Sequence, residues 1–274
     1  PGCDHCYAEK LVTTRLGVGW GPGAPRRRTK PGNWAKVRKW HREADAFKAQ
    51  HGHYPRVFAA SLADIFDNEV DQAWRDDFFA LVKETPKLQW LIVTKRIGNV
   101  KKMLPADWGT GYSNVVLIIT VVNQAEADRD IPKLFETPAQ RRGLSVEPML
   151  GPVDLCEHLG MWWNSTMGAF ESVGARMNTG RGNGGIDWVI TGGESAQLKG
   201  KRDLVPLERE WVRAVDRQCI AAGVPHHFKQ WGHTIPVDQI DPASKITVLH
   251  GARAVFKDEM GRLLDGRERN GFPL

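Results

Sequence analysis

The chain has 274 residues, a formal net charge of +6 and charged side chains at 26% of positions. That is the make-up of a globular protein of one large or two small domains, and it excludes a disordered or fibrous chain. No apolar run is long enough to cross a bilayer, and four cysteines in so long a chain exclude a disulfide scaffold, so a cytoplasmic protein with reduced thiols and no membrane contact is expected.

The chain opens "PGCDHCYAEK", with Cys3 and Cys6 flanking Asp4 and His5. A helix is expected from Cys6 to Leu16, with Tyr7, Leu11 and Leu16 inward. "GVGWGPGAP" (Gly17–Pro25) reads as a loop. The stretch Arg26 to Arg42, "RRRTKPGNWAKVRKWHR", contains no acid. Arg26, Arg27, Arg28, Lys30, Lys36, Arg38, Lys39 and Arg42 supply its charge, and Trp34 and Trp40 are interleaved. Cations neutralise phosphates and aromatic faces stack on bases, so this mixture suits nucleic acid. A solvated basic loop and helix with tryptophan anchors in the core, or an acidic protein partner, are the other readings.

A regular alternation follows. Strands are expected at Arg56–Ser61, Leu88–Lys95, Asn114–Thr120, Arg141–Glu147, Ile186–Gly193 and Val224–Trp231. Helices are expected at Asp71–Pro86, near Val100–Leu104, at Gln124–Pro138 with a kink or restart at Pro132, and at Leu207–Gly223. Cys219 falls on the apolar face of the last helix and reads as core. The strand segments are near-continuous apolar runs, as in parallel sheets covered on both faces. Strand then helix, repeated, predicts an α/β fold: a parallel βα barrel, complete or partial, over residues 1–233. A Gly-rich insertion, residues 156–185, is expected to form a long loop over the site, and residues 234–274 a C-terminal extension packed on the barrel.

In such barrels the site lies at the carboxyl ends of the strands. Those positions hold Ser61, Asp64 and Asp67; Thr94, Lys95 and Arg96; Thr120 and Asn123; Ser145 and Glu147; Thr191, Gly192, Gly193, Glu194 and Ser195; and Lys229 and Gln230. Strand ends turn polar in any case because loops are solvated. Lys95, Glu147, Glu194 and Lys229 stand out as catalytic candidates, because a charge set against an apolar run needs a partner or a ligand. Gly192 and Gly193 are places where backbone can approach a ligand.

The cysteine pair supports four readings from the residues alone: a zinc half-site, a redox dithiol at a helix start, two structural cysteines, or two ligands of an iron–sulfur cluster. Here a resemblance enters. "CDHCYAE", "RRRT" (Arg26–Thr29), "SLADIFDNEV" (Ser61–Val70), "LIVTKR" (Leu91–Arg96), "SVEPMLGPVDL" (Ser145–Leu155), "DWVITGGES" (Asp187–Ser195), "CIAAGVPHHFKQWG" (Cys219–Gly232) and "GRLLDGRE" (Gly261–Glu268) recur in order in a phage- and bacteria-borne family with a radical S-adenosylmethionine-like three-cysteine motif, which the chain resembles over most of its length. More distantly it is similar to spore photoproduct lyase. The resemblance implies a [4Fe–4S] cluster held by Cys3, Cys6 and a third cysteine in a segment upstream of Pro1, which would also carry the first barrel strand.

It further implies S-adenosylmethionine as cofactor, with Ser61, Asp64, Thr120, Asn123, Gly192, Gly193 and Glu194 as contacts, a reductant for the cluster, and a nucleic-acid substrate modified or repaired through a 5′-deoxyadenosyl radical. The alternative is a phage-encoded protein without catalysis that binds DNA or a host protein on the same scaffold. The chain departs from the family at Ala196-Gln197-Leu198, where Gly and then Ala-Arg-Pro are usual, and at Arg269 and Gly271, where Trp and Glu are usual.

Overall fold

The structure is a computed structural model that describes residues 7–164, 169–172, 185–195, 204–239, 248–250, 253–255 and 261–273. Cys3, Cys6 and Ala196-Gln197-Leu198 lie outside the described residues. An α/β fold is built on a six-stranded sheet of β1 (Arg56–Ala59), β2 (Gln89–Thr94), β3 (Val115–Thr120), β4 (Arg142–Val146), β7 (Trp188–Gly192) and β8 (His226–Gln230), in that spatial order. β1–β2, β2–β3, β4–β7 and β7–β8 pair in parallel. Each lies inside its expected run. β3, β4 and β7 are buried at every position, which is why their sequences do not alternate. The chain divides into two compact units.

The first unit comprises Ala8–Ile119 and Glu136–Arg141. Its first helix, α1 (Tyr7–Lys10), runs into a π-helical turn, Leu11–Arg15. Ala8 and Val12 are buried, Leu11 is half-buried and Leu16 is exposed, so the expected inward stripe does not extend to Leu16. Two helices follow: α2 (Pro31–Arg42), inside the basic stretch and started by a proline at its first position, and α3 (Ala44–His51), which the sequence reading did not include, closed by left-handed Gly52. α4 (Gln72–Glu84) is capped by the Asp71 carboxylate, which accepts from Ala73 N. It lays Phe78 edge-on to Trp90 of β2 at 5.3 Å. Trp90 Nε1 donates to Thr85 Oγ1, so the indole is buried without an orphan donor.

Arg75, 3% exposed, donates to the carbonyls of Ile65 and Asp67 and so fixes the loop that follows β1. α5 (Ile97–Met103) lies between β2 and β3 in sequence. Gly111 has φ +111°, and a Cβ there would lie 2.8 Å from the Ala139 backbone.

The second unit comprises Pro1–Tyr7, Thr120–Phe135 and Arg142–Leu274. α6 (Gln124–Glu136) continues unbroken through Pro132 and buries Ala127, Ile131, Leu134 and Phe135; the expected restart does not occur. α7 (Arg209–Ala222) buries Val212, Val215, Cys219 and Ala222 at helical spacing, each aliphatic side chain contributing roughly 1.5–3 kcal/mol. It ends at Gly223 in the left-handed region. The Gly-rich insertion is not simply a loop: β5 (Met161–Asn164) and β6 (Ala169–Ser172) form an antiparallel hairpin within it. Beyond β8 come β9 (Ile235–Pro236), β10 (Val248–His250) and β11 (Arg253–Val255) in one small sheet. The hairpin of β12 (Leu263–Leu264) and β13 (Arg267–Glu268) turns on Asp265 and Gly266, both at positive φ. This is the Asp-Gly signal for a two-residue turn.

After β13 the tail lies against the outer edge of β8. His227 bridges Asn270 antiparallel, Phe228 N donates to Arg269 O, and Gly271 N donates to His226 O. A Cβ at position 271 would lie 2.5 Å from His226 O, so a side chain such as Glu would not fit this arrangement. Arg269 is also used: its Nε donates to both oxygens of Asp216, whose Oδ1 meets His226 Nδ1 at 2.7 Å, while His226 Nε2 meets Thr191 Oγ1 at 2.8 Å. Burial by itself raises the Asp216 pKa, but the bonds from His226 and Arg269 outweigh it and hold the carboxyl below its ordinary value.

The Asp216 network therefore contributes stability that is present above the ordinary carboxylate range and is lost as pH falls through the lower, folded-state pKa. Asp216→Asn should cost about 3–5 kcal/mol at neutral pH, because it leaves buried partners unmatched. Urea midpoints of the wild type and the variant should draw together as the solution is acidified; parallel curves would count against the assignment.

Candidate functional site

In the second unit, the carboxyl ends of β4, β7 and β8 bring together Glu147, Gly192, Lys229 and Gln230. Lys229 Nζ donates to Glu147 Oε1 at 2.8 Å, and Gln230 Nε2 lies 3.4 Å from the same oxygen. Consecutive side chains of a regular strand point to opposite faces, so two neighbours reaching one atom needs an explanation. The β7–β8 register supplies it: Thr191 pairs with Phe228 but Gly192 pairs with Gln230. Lys229 is thus the extra residue of a bulge, a device that redirects a side chain. Sequence reading found both ionic residues but not this, since a bulge is a property of two paired strands.

The glycines serve this cluster in a different way from the one expected. A Cβ at Gly192 would lie 3.1 Å from Glu147 Oε1, and one at Gly193 would lie 2.0 Å from Trp231 O. Protein atoms occupy that space: Gly192 lets the Glu147 carboxylate lie against the strand, and Gly193 lets two backbone segments meet. Glu194 is 8% exposed; its Oε2 accepts from Val205 N, and its carbonyl accepts from His233 N.

Gln230 is 5% exposed. Its Nε2 donates to Gly193 O at 2.8 Å and Ser195 Oγ at 3.2 Å. These acceptors fix which end of the amide is nitrogen. The other end, Oε1, is buried and accepts from nothing among the described residues. Lys229 is the opposite case: its side chain is 54% exposed and Glu147's 17%, so the ammonium keeps donors toward solvent.

Also in this unit, Thr120 is the buried last residue of β3. Asn123 caps α6, its Oδ1 accepting from Glu126 N while Glu126 accepts from Val122 N, a reciprocal arrangement of the capping-box type. Cys156 and Cys219 are buried free thiols. Burial pushes Cys156 up to about 12 and Cys219 well above the ordinary thiol range. Both are protonated, and neither makes a ready thiolate ligand. No group of three metal-ligating side chains occurs among the described residues.

In the first unit, Asp64 accepts from Thr94 Oγ1 through both oxygens, from Lys95 N at 3.0 Å and from Phe66 N at 2.9 Å. It ties the loop after β1 to the end of β2. Ser61 and Lys95 are exposed at those two ends.

The basic stretch is divided by the structure. Arg26, 22% exposed, pairs with Asp67 and Glu69. Arg28 pairs with Asp77 at 2.8 Å and stands over the Trp34 ring at 4.7 Å. Arg38 binds both oxygens of Glu84, and Lys39 lies 3.7 Å from Glu43. Arg27, Lys30, Lys36 and Arg42 are exposed. α2 buries no residue; its Trp34 is half-buried, whereas Trp40 is 45% exposed. Arg26 is thus committed to the fold, Arg28 and Arg38 are tied to exposed acids, and Arg27, Lys30, Lys36, Lys39, Trp40 and Arg42 are the outward part.

Fold and site together define a parallel-sheet α/β protein with polar side chains gathered where strands end. The chain belongs to a family described as protein of unknown function (DUF5131), which matches residues 1–273. No curated protein and no solved structure matches it. No helix among the described residues is long and apolar enough to cross a membrane.

Proposed function

We propose that the chain is a radical S-adenosylmethionine-type iron–sulfur enzyme on a partial parallel βα barrel, acting on nucleic acid. The observation that carries this reading is the Glu147–Lys229–Gln230 cluster at the carboxyl ends of parallel strands, where α/β enzymes place their chemistry. Its ammonium, 54% exposed, beside a carboxylate 17% exposed, can meet a polar ligand while the pair holds its place.

The donor set fits an iron–sulfur group in the following sense. Cys156 and Cys219 are buried thiols whose pKa is pushed up, so the candidate ligands are Cys3 and Cys6, at the spacing such clusters use. Cys3 and Cys6 would supply two of the cluster's thiolate ligands, and Thr120 and Glu194 would contact S-adenosylmethionine. When bound, these groups supply hydrogen abstraction. The chain's own residues do the rest. Lys229 presents a cation to an anionic or carbonyl group of the substrate, the half-buried Glu147 accepts its N–H or O–H, and Gly192 keeps that carboxylate in place. On the first unit, the outward cations of α2 neutralise phosphates.

Anaerobic reconstitution tests this. Iron and acid-labile sulfide should bind the full chain and be lost in Cys3→Ala and in Cys6→Ala, with circular dichroism unchanged. Reductive cleavage of S-adenosylmethionine should be lost with them. A chain that takes up no iron yet still binds oligonucleotides would be the non-catalytic binding protein instead.

A further inference from the structure

We infer that Trp20 is a base-stacking residue for single-stranded nucleic acid, presented by the first unit on a loop that two consecutive arginines hold at both ends; this rests on the nucleic-acid reading above. Leu16 and Trp20 are 49% and 37% exposed. A single exposed apolar side chain is ordinary. What sets Trp20 apart is how firmly the segment beneath it is held. Ala24 N donates to Gly21 O at 3.3 Å and closes a turn with Pro22 and Gly23 at its centre. Gly23 has φ +73°, as a Pro-Gly turn of type II demands. The Arg26 guanidinium donates through Nη1 to Gly21 O at 3.0 Å and to Ala24 O at 2.7 Å, and through Nε to Asp67 Oδ2 at 2.9 Å. Glu69 accepts from Gly23 N through both oxygens. At the other end Leu16 N and Val18 N donate to Val12 O, and Arg27 Nη1 donates to Leu16 O at 3.4 Å. Between them Gly19 lies against Ala24, where a Cβ would stand 3.2 Å from the Ala24 Cβ. Trp20 is therefore set between two pinned ends, directly before the turn.

A ring fixed before its ligand arrives loses little freedom on binding, and an indole face accepts any base because every base has a π-face. The charge beside it selects the class of ligand. Arg15 and Arg27 are exposed where the segment begins and pair with no acid among the described residues. The nearest acids in the frame, Asp67 and Glu69, are taken up by Arg26 and by Gly23 N. Trp34 is the contrast, since the Arg28 guanidinium already stands over its ring. Cations beside an open aromatic face match phosphates beside a base. An acidic peptide would use the cations and leave the indole idle.

The test uses the full chain at low salt with a thymine-only oligonucleotide and an abasic strand of the same length. The wild type should prefer the thymine strand. Trp20→Ala should weaken binding of that strand about tenfold and narrow the preference over the abasic one. Its salt slope should stay that of the wild type, because no charge is removed. Trp20→Phe, which keeps an aromatic face, should restore most of the affinity. A second readout needs no variant: irradiating the wild type with the same strand carrying 5-bromouracil should place the adduct on the peptide that contains Trp20. Wild-type affinity in Trp20→Ala, or adducts on other peptides alone, would overturn the inference and leave the nucleic-acid reading standing. Failure of the wild type to bind either strand would overturn both.

Discussion

Affinity for a single-stranded oligonucleotide should fall about a hundredfold between 50 and 200 mM salt. The figure follows from roughly five phosphate contacts, each releasing condensed counterions, at the slope that applies to single strands. The contacts are assigned to Arg27, Lys30, Lys36, Lys39 and Arg42, exposed cations on and before a helix that buries none of its residues. Reversing Lys36, Lys39 and Arg42 to Glu should flatten the slope and weaken binding to all sequences alike, since phosphate contacts position but do not specify. Reversing Arg26 should instead act through the fold, because it is partly buried against Asp67, which is 10% exposed; reversing Arg28 or Arg38 breaks only an exposed pair and should change stability little.

The two tryptophans should separate in the same way. Trp40→Ala should cost about 1–3 kcal/mol of single-strand binding with little change in urea midpoint. Trp34→Ala should chiefly destabilise the protein, because its ring is half-buried under the Arg28 guanidinium. Anisotropy titrations at several salt concentrations, paired with melts of each variant, check both halves. Salt-independent binding would remove the phosphate assignment.

Gly193→Ala should be the most damaging small substitution in the second unit. Its Cβ would stand 2.0 Å from the Trp231 carbonyl oxygen, and backbone cannot yield as a side-chain tip does. The opposing residue offers no relief. Gly232 has φ +91°, and a Cβ there would lie 2.6 Å from Glu194 O, so two glycines are needed for one crossing. Overpacking against backbone of this kind should cost at least about 3 kcal/mol, read as a shifted urea midpoint or loss of soluble protein. Gly192→Ala is the contrast. Its nearest neighbour is the Glu147 side chain at 3.1 Å, which can rotate. That variant should fold and bind its ligand poorly, because the displaced carboxylate leaves Lys229. If Gly193→Ala melts like the wild type, the packing of this crossing is wrong.

The parallel strands were legible because a strand covered on both faces must be apolar at nearly every position, and Val115–Thr120 is the extreme case. The ionic members of the cluster were legible for the complementary reason: Glu147 and Lys229 interrupt such runs where they end. What could not be read depends on pairing across long separations. Lys229 and Glu147 are 82 positions apart, and only the shifted register makes neighbours of Lys229 and Gln230 at one carboxylate.

The commitment of Arg26 to Asp67 and Glu69 was hidden for the same reason, so the basic stretch looked more available than it is. The bounds of α2 were not legible because its outward face carries charge and no apolar stripe, leaving Pro31 as the one local signal. The β12–β13 hairpin was within reach, since Asp265-Gly266 is a turn signature and was passed over for want of alternation in such short strands.

The tail on β8 has a consequence for the order in which the protein is made. Most of the first unit, Ala8–Ile119, is contiguous and can begin to fold while synthesis continues. The second unit cannot be finished so early. The outer edge of β8 receives its partner only once Arg269, Asn270 and Gly271 have left the ribosome, and until then His226, His227 and Phe228 offer open backbone groups to any passing strand. The nascent chain is therefore most exposed to mispairing in the interval between the emergence of β8 and that of the tail, and its vulnerability is set by elongation speed rather than by equilibrium stability.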